Sequence, residues 1–246
     1  MLYYIYDGSF DGLLTAIHEA YYRREQPNRI TSEADIQQSF MISKVYIHTD
    51  NEKARKVYNS IQSKISAQAL ENVFYAFLSE VDDSSTAIYQ YLRLGWKIGK
   101  DIDSHLSNDA VLKVHSICRK VRRENHAMLG LIRFRRLEND IYYSQIEPEY
   151  NIIGLAAPHF ASRLSNENWV IHDLKRGIAA MYNKNEWIIK DVDTVDELKF
   201  EEDEEMYQQL WKEYFKSIAI KNRINPKLQK KNMPIRYWKY LIEKQL

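Results

Sequence analysis

The chain changes rhythm once, near residue 128, and that change limits its architecture more than any other feature. Up to "DAVLKVHSICRKVRRENHAM" the apolar residues recur at helical spacing; from "LGLIRFRRL" onward they alternate. Helices in one run and strands in another point to α+β rather than to a wound α/β sheet. The expected plan is a helix-rich N-terminal half, an antiparallel sheet with hairpins in residues 129–192, and two C-terminal helices packing back. One continuous domain over 1–246 is the simplest division. A split into a helical part, 1–107, and a sheet with C-terminal helices, 108–246, is the alternative.

Within the first half, "LYYIYD" predicts a short strand broken by Gly8. Ser9 can cap a helix bearing Phe10, Leu13, Leu14, Ile17, Ala20 and Tyr21 on its apolar side. "DGSFDG" superficially resembles a phosphate-cradling turn, but Asp7 and Asp11 would repel an anion, so a tight turn with an N-cap is the better account. "SFMISKVYIHTD" alternates like a second strand, and Thr49 or Asp50 can cap the helix that follows. In the second half, Glu138, Asn139 and Asp140 separate two alternating runs as a hairpin does. "NIIGLAAPHFASRLS" predicts a helix despite Pro158, and "NWVIHD", "GIAAMYN" and "EWIIKDV" predict a meander. Tyr207, Leu210, Trp211, Tyr214, Phe215 and Ile218 keep helical spacing and are expected in the core. Residues 221–231 read as a basic loop around Pro226, followed by a helix capped by Asn232 with Tyr237, Trp238, Leu241 and Ile242 on its apolar side.

A formal net charge of +1 hides two opposed blocks. Residues 191–205 hold nine acids and one lysine, whereas residues 216–246 hold nine Lys or Arg and one acid, Glu243. Such blocks form solvated faces or meet charged partners. The single cysteine, Cys118, excludes an intrachain disulfide framework and, with seven scattered histidines, a Cys-rich zinc site. A reducing cytoplasm fits. No apolar run approaches the roughly 18 residues that span a bilayer, and the N-terminus lacks the pattern of a signal peptide, so no membrane role is expected.

Three groups of residues could carry chemistry. If "GLIRFRRL" is a strand, Arg133 and Arg135 share a face about 7 Å apart, where two guanidinium forks suit successive phosphates. The alternative is a solvated face whose arginines pair with carboxylates such as Glu147. A second group, His126, Glu147, His159, Arg163, His172 and Asp173, places polar side chains inside apolar segments, and a histidine oriented by a carboxylate can act as a general base. No nucleophile accompanies them, and core polar residues satisfied by hydrogen bonds explain them as well. The third group is the basic tail: once its aromatics are assigned to the core, Lys216, Lys221, Arg223, Lys227, Lys230, Lys231, Arg236 and Lys239 remain outside as an electrostatic footprint. Motifs for nucleotide, hydrolase or zinc chemistry are absent, and neither a cofactor nor a metal is expected.

Several segments together resemble a bacterial family of uncharacterised proteins labelled probable DNA metabolism or putative DNA repair proteins. They are "YDGSFDGLLTAIHEAY", "ENHAMLGLIRFRR", "EPEYNIIGLAAPHFASRL", "NWVIHD" and the tail from Leu210 to Leu241. The most specific part is W-x-x-Y-F-x-S-I, R-x-N and M-P-x-x-Y-W, carried by Trp211, Tyr214, Phe215, Ser217, Ile218, Arg223, Asn225, Met233, Pro234, Tyr237 and Trp238. The resemblance implies pairing with a radical SAM protein and similarity to a domain fused to uracil-DNA glycosylase-like domains. It brings no catalytic residue, and the chain has no C-x-x-x-C-x-x-C cluster motif of its own.

The leading expectation is a protein of DNA metabolism or repair that binds DNA or RNA phosphates and works with that partner enzyme. The rivals are an enzyme acting directly on nucleic acid, and a protein interaction module in which the acidic and basic blocks dock on each other or on a partner.

Overall fold

A computed structural model describes residues 1–32, 41–192 and 198–245 and, within these, every side chain but that of Lys221. The protein is α+β, with a helix-rich N-terminal half, a five-stranded mixed sheet and C-terminal helices. Its residues fall into two units, Met1–Arg122 and Arg123–Leu246. Among the described residues no helix is long and apolar enough to cross a membrane.

In the first unit β1 (Leu2–Tyr6) is the centre of a three-stranded parallel sheet, flanked by β2 (Arg29–Ser32) and β3 (Ser43–Tyr46). "RITS" is too short and polar to announce a strand, so β2 escapes sequence patterning. The first residues of the second expected strand, Ser39 and Phe40, lie outside the described residues. α1 (Phe10–Tyr22) follows β1 and buries Leu13, Leu14 and Ile17, but Tyr21, expected on the same stripe, is 67% exposed. The turn before α1 is a cap. Ser9 Oγ accepts from Gly12 N (2.9 Å), while Asp7 accepts from the amide and hydroxyl of Ser9 and from Thr49 Oγ1. Those donors hold the Asp7 carboxyl below its usual range although burial opposes them. Asp7 thus takes the place that an anionic ligand would need. A Cβ on Gly12 would lie 2.1 Å from Asp7 Oδ1, so the close approach depends on glycine.

Among the described residues four more α-helices belong to this unit: α2 (Asn51–Ser60), α3 (Ala67–Leu78), α4 (Ser84–Ile98) and the first part of α5 (Asp109–Leu131). Between α2 and α3 the chain makes a π turn, Ile61–Ile65, whose two isoleucines are fully buried. Gly95 of α4 faces it, and a Cβ there would meet Ile65 Cδ1 at 2.7 Å. π turns often mark functional positions in helices. Nearby, Asp103 Oδ1 accepts from Asn72 Nδ2 (3.1 Å) and Tyr91 OH (2.7 Å) and lies 2.8 Å from His115 Nε2. Cys118 Sγ donates to the Asn72 carbonyl in the same core.

The second unit is built on the sheet β4–β5–β6–β7–β8: β4 (Arg135–Arg136), β5 (Ile141–Ile146), β6 (Asn168–Asp173), β7 (Ile178–Asn183) and β8 (Trp187–Asp191). Hairpins form where expected, at Glu138–Asp140 and in the β6–β7–β8 meander. The β5–β6 pair is parallel, however, so the sheet is mixed. α6 (Ile153–Arg163) lies between these strands in sequence, and a parallel pair needs such a crossover. α6 runs through the exposed Pro158 and sets Phe160 against Trp169, which is fully buried and stacks on Tyr182. The strand expected from residue 129 is overturned: α5 continues to Leu131, and only Arg135 and Arg136 pair with β5. Phe200 bridges Leu137, and Glu201 N donates to the Arg136 carbonyl, which covers the β4 edge.

The tail departs from expectation as well. α7 (Glu204–Ser217) is followed by a 3-10 turn, Lys221–Arg223, and by α8 (Pro226–Asn232) where a loop was expected. Asn225 caps α8 through Leu228 N and Pro226 stands in its first turn, so Asn232 ends a helix instead of starting one. The rest is 3-10 helix, Ile235–Tyr240 and Ile242–Lys244.

Candidate nucleic-acid interface

Two buried carboxylates fix the C-terminal segment to the second unit. Glu243, its side chain wholly buried, accepts from Arg133 Nη2 (2.7 Å) and from Trp211 Nε1 (2.9 Å), and the Arg133 guanidinium stacks over the Trp211 ring. Burial would raise the Glu243 carboxyl, but Arg133 and the Trp211 indole hold it below the usual range. Glu124 of α5 accepts from the amides of Glu149 and Tyr150 (2.8 Å each), from Tyr237 OH and from Arg236 Nη2 (3.2 Å). Burial and the adjacent Glu124 charge push the Tyr237 phenol up. Trp238 Nε1 donates to the Met233 carbonyl. The aromatics of M-P-x-x-Y-W therefore clamp the tail, which is a structural role.

These clamps divide the cations expected to hold phosphate. Arg133 lies outside any strand and is spent on Glu243. It forms no two-residue fork with Arg135, whose guanidinium stacks 4.5 Å from the Phe200 ring centroid. Arg236 bridges Glu124 and Glu149, and Lys239 pairs with Glu147, whose carboxyl it holds low. Arg223, Lys227, Lys230 and Lys231 are exposed and form no ion pair among the described residues. Lys227, Lys230 and Lys231 stand at i, i+3 and i+4 of α8, so they share one helical face. The side chain of Lys221 lies outside the described residues.

The stripe of α7 was expected in the core and is mostly outside it. Glu204, Gln208, Trp211 and Phe215 form the inner side, while Tyr207, Leu210, Tyr214 and Ile218 are each more than half exposed. The helix is rotated because its inner face carries the polar contacts: Glu204 Oε2 accepts from Arg136 N (2.9 Å) and Trp211 reaches Glu243. An apolar, aromatic outer face thus stands next in sequence to the basic helix.

Among the described residues no two of the acid–base candidates are hydrogen-bonded to each other. His172 is buried with Nδ1 2.8 Å from Tyr143 OH. Asp173, fully buried, accepts from Arg176 Nη1 (2.9 Å) and Lys175 N, and burial raises its carboxyl in spite of Arg176. Glu147 holds Lys239; His159 packs edge-on against Phe160; His126 and Arg163 are exposed. An oriented histidine–carboxylate pair does exist, at His115 and Asp103, which sequence inspection missed because the two come from separate segments. Asp103 is already shared with Asn72 and Tyr91, and the neighbouring thiol of Cys118 is buried and pushed up to about 12, so it is no nucleophile near neutral pH. Among the described residues no three His, Cys, Asp or Glu side chains are grouped to hold a metal.

Residues 82–243 match the family described as a domain of unknown function, DUF4130, and the chain belongs to that family. No curated protein matches the chain.

Proposed function

We propose that this protein binds the phosphate backbone of nucleic acid through α8 and serves DNA metabolism or repair in the cytoplasm together with a partner enzyme. The observation that carries this reading is the exposed set Arg223, Lys227, Lys230 and Lys231, which forms no ion pair among the described residues, whereas Arg236 and Lys239 of the same segment are held by carboxylates. Long, exposed cations without carboxylate partners are the groups that replace condensed counterions on a phosphate chain. The outer face of α7 supports the partner half of the proposal: Tyr207, Leu210, Tyr214 and Ile218 give an aromatic and aliphatic strip of the kind enriched at protein interfaces. The sequence resemblance to DNA-metabolism proteins paired with radical SAM enzymes supports a radical SAM enzyme as that partner. For a direct acid–base role on nucleic acid, the sequence candidates supply no hydrogen-bonded histidine–carboxylate pair among the described residues.

Salt titration of labelled single- and double-stranded DNA tests the reading. If these four side chains each neutralise one phosphate, log K falls against log salt with a slope of roughly −3 to −4. The double substitution Lys230→Glu and Lys231→Glu reduces the slope by about 2 and weakens binding uniformly across sequences. Absence of binding at low salt, or a slope unchanged by the double variant, would overturn it.

A further inference from the structure

The first unit contains a groove of about 470 Å³ lined by none of the residues singled out for chemistry in the sequence. It runs between the second half of α1, the end of α2 with its π turn, and the last turn of α4. Its floor is apolar, from the buried Ile17 and Val57. Its wall is aromatic. Tyr22 stacks on His18 with ring centroids 4.2 Å apart, Tyr21 meets Tyr22 edge-on at 5.7 Å, and Trp96 lies 6.0 Å from Tyr21.

The exposure of these rings is unusual. Tyr21 and Tyr22 are 67% and 69% exposed, a large apolar area to leave in water on adjacent residues of one helix. Trp96 is held in place by its indole N–H, which donates to Ser60 Oγ (3.1 Å). Two cations, Lys56 and Lys64, line the groove, and neither has an ion-pair partner among the described residues. No carboxylate is among the lining residues. Asn59 and Ser63 add exposed hydrogen-bonding groups. His18 is nine-tenths buried, yet neither ring nitrogen makes a hydrogen bond among the described residues; the nearest carboxylate oxygen, of Glu19, is 3.8 Å away. Burial, with help from Lys53 and Lys56, holds the imidazole below its usual range.

An apolar floor, stacking rings, two cations and no acid select a ligand with a flat π system and at least one negative charge. The volume falls within the range of small-molecule sites. We infer that the groove is a nucleotide site, in which the base stacks among Tyr21, Tyr22 and Trp96 and the phosphate lies against Lys56 and Lys64. The nucleotide is either free or one unit of a single strand, since aromatic platforms with basic borders bind both. The π turn contributes by placing Ser63 and Lys64 on the groove, with Ile61 and Ile65 turned into the core.

The test uses the full chain and three probes: adenosine, adenosine 5′-monophosphate and a short oligodeoxyadenylate, titrated calorimetrically at low salt. The monophosphate or the oligonucleotide binds, and adenosine binds more weakly than the monophosphate. Tyr22→Leu and the pair Lys56→Glu with Lys64→Glu each lower affinity about tenfold or more. All three positions are exposed, and an unchanged circular dichroism melt shows that the fold is kept. Binding of the monophosphate marks a free nucleotide as ligand; binding of the oligonucleotide alone, still lost in these variants, marks a strand. No binding of either charged probe, or binding indifferent to both groove variants, overturns the inference. Because Lys230→Glu with Lys231→Glu leaves the groove intact, monophosphate binding that survives that variant separates the groove from the α8 interface.

Discussion

Glu243 is one of two buried carboxylates that attach the tail within the second unit, and its ionisation gives that attachment a pH dependence. The carboxyl is held below its ordinary value near 4.3 by Arg133 and Trp211, so its contribution to stability is complete above that ordinary value. The contribution is lost as pH falls through the lowered folded value. Urea denaturation across an acid series should therefore show a stability loss below about pH 4.3 that is smaller in Glu243→Gln. Glu124 is the other such residue, and it was invisible in the sequence. "RRENHAM" is an ordinary polar helix segment, while the partners of Glu124 come from 25 and 113 residues away. The aromatic partners Trp211 and Tyr237 are legible through their pattern and Glu243 as the lone acid of a basic block, but the pairing of each donor with its carboxylate is not, because an isolated acid carries no periodic signal.

For whole elements, periodicity predicted that α7 exists but not which side it buries. Tyr207, Leu210, Trp211, Tyr214, Phe215 and Ile218 cover more of the helix than one packing face needs, and polar anchors at Glu204 and Trp211 chose the rotation. The pair Leu210→Gln and Tyr214→Gln should change unfolding free energy by less than about 1 kcal/mol, as surface substitutions do. Trp211→Phe, which removes the indole donor to Glu243 and part of the ring beneath the Arg133 guanidinium, should cost about 1–3 kcal/mol by the same denaturation assay. Strands were more legible where flanking turns were explicit. β6 coincides with "NWVIHD", and the turn at Asn183 is held by its own carboxamide, which accepts from the amides of Asn185 and Glu186. The β4 region failed because "GLIRF" satisfies both periods over so short a run, and α5 won it by continuing through Leu131.

For the molecule as a whole, the rhythm change near residue 128 marks the passage from helices to sheet, yet the unit boundary falls inside α5, at Arg122 and Arg123. The DUF4130 match, 82–243, spans the whole sheet and most of the tail, whereas Tyr21, Tyr22, Lys56 and Lys64 of the groove precede it. The opposed charge blocks are both real in sequence, but residues 193–197 of the acidic one lie outside the described residues, and Glu204 is committed to Arg136. If the remaining acids compete with nucleic acid for α8, converting Glu201, Glu202, Asp203 and Glu205 to amides raises DNA affinity in the same salt titration. An unchanged affinity assigns them to a solvated face. Cys118, finally, is the lone sulfhydryl of the chain, hidden among unit-one side chains and hydrogen-bonded to Asn72. The native molecule consequently offers alkylating dyes nothing to attack near neutral pH, so a cysteine introduced at Tyr22 or at Lys230 becomes a sole attachment point, and a fluorophore there can report which of the two surfaces meets nucleic acid first.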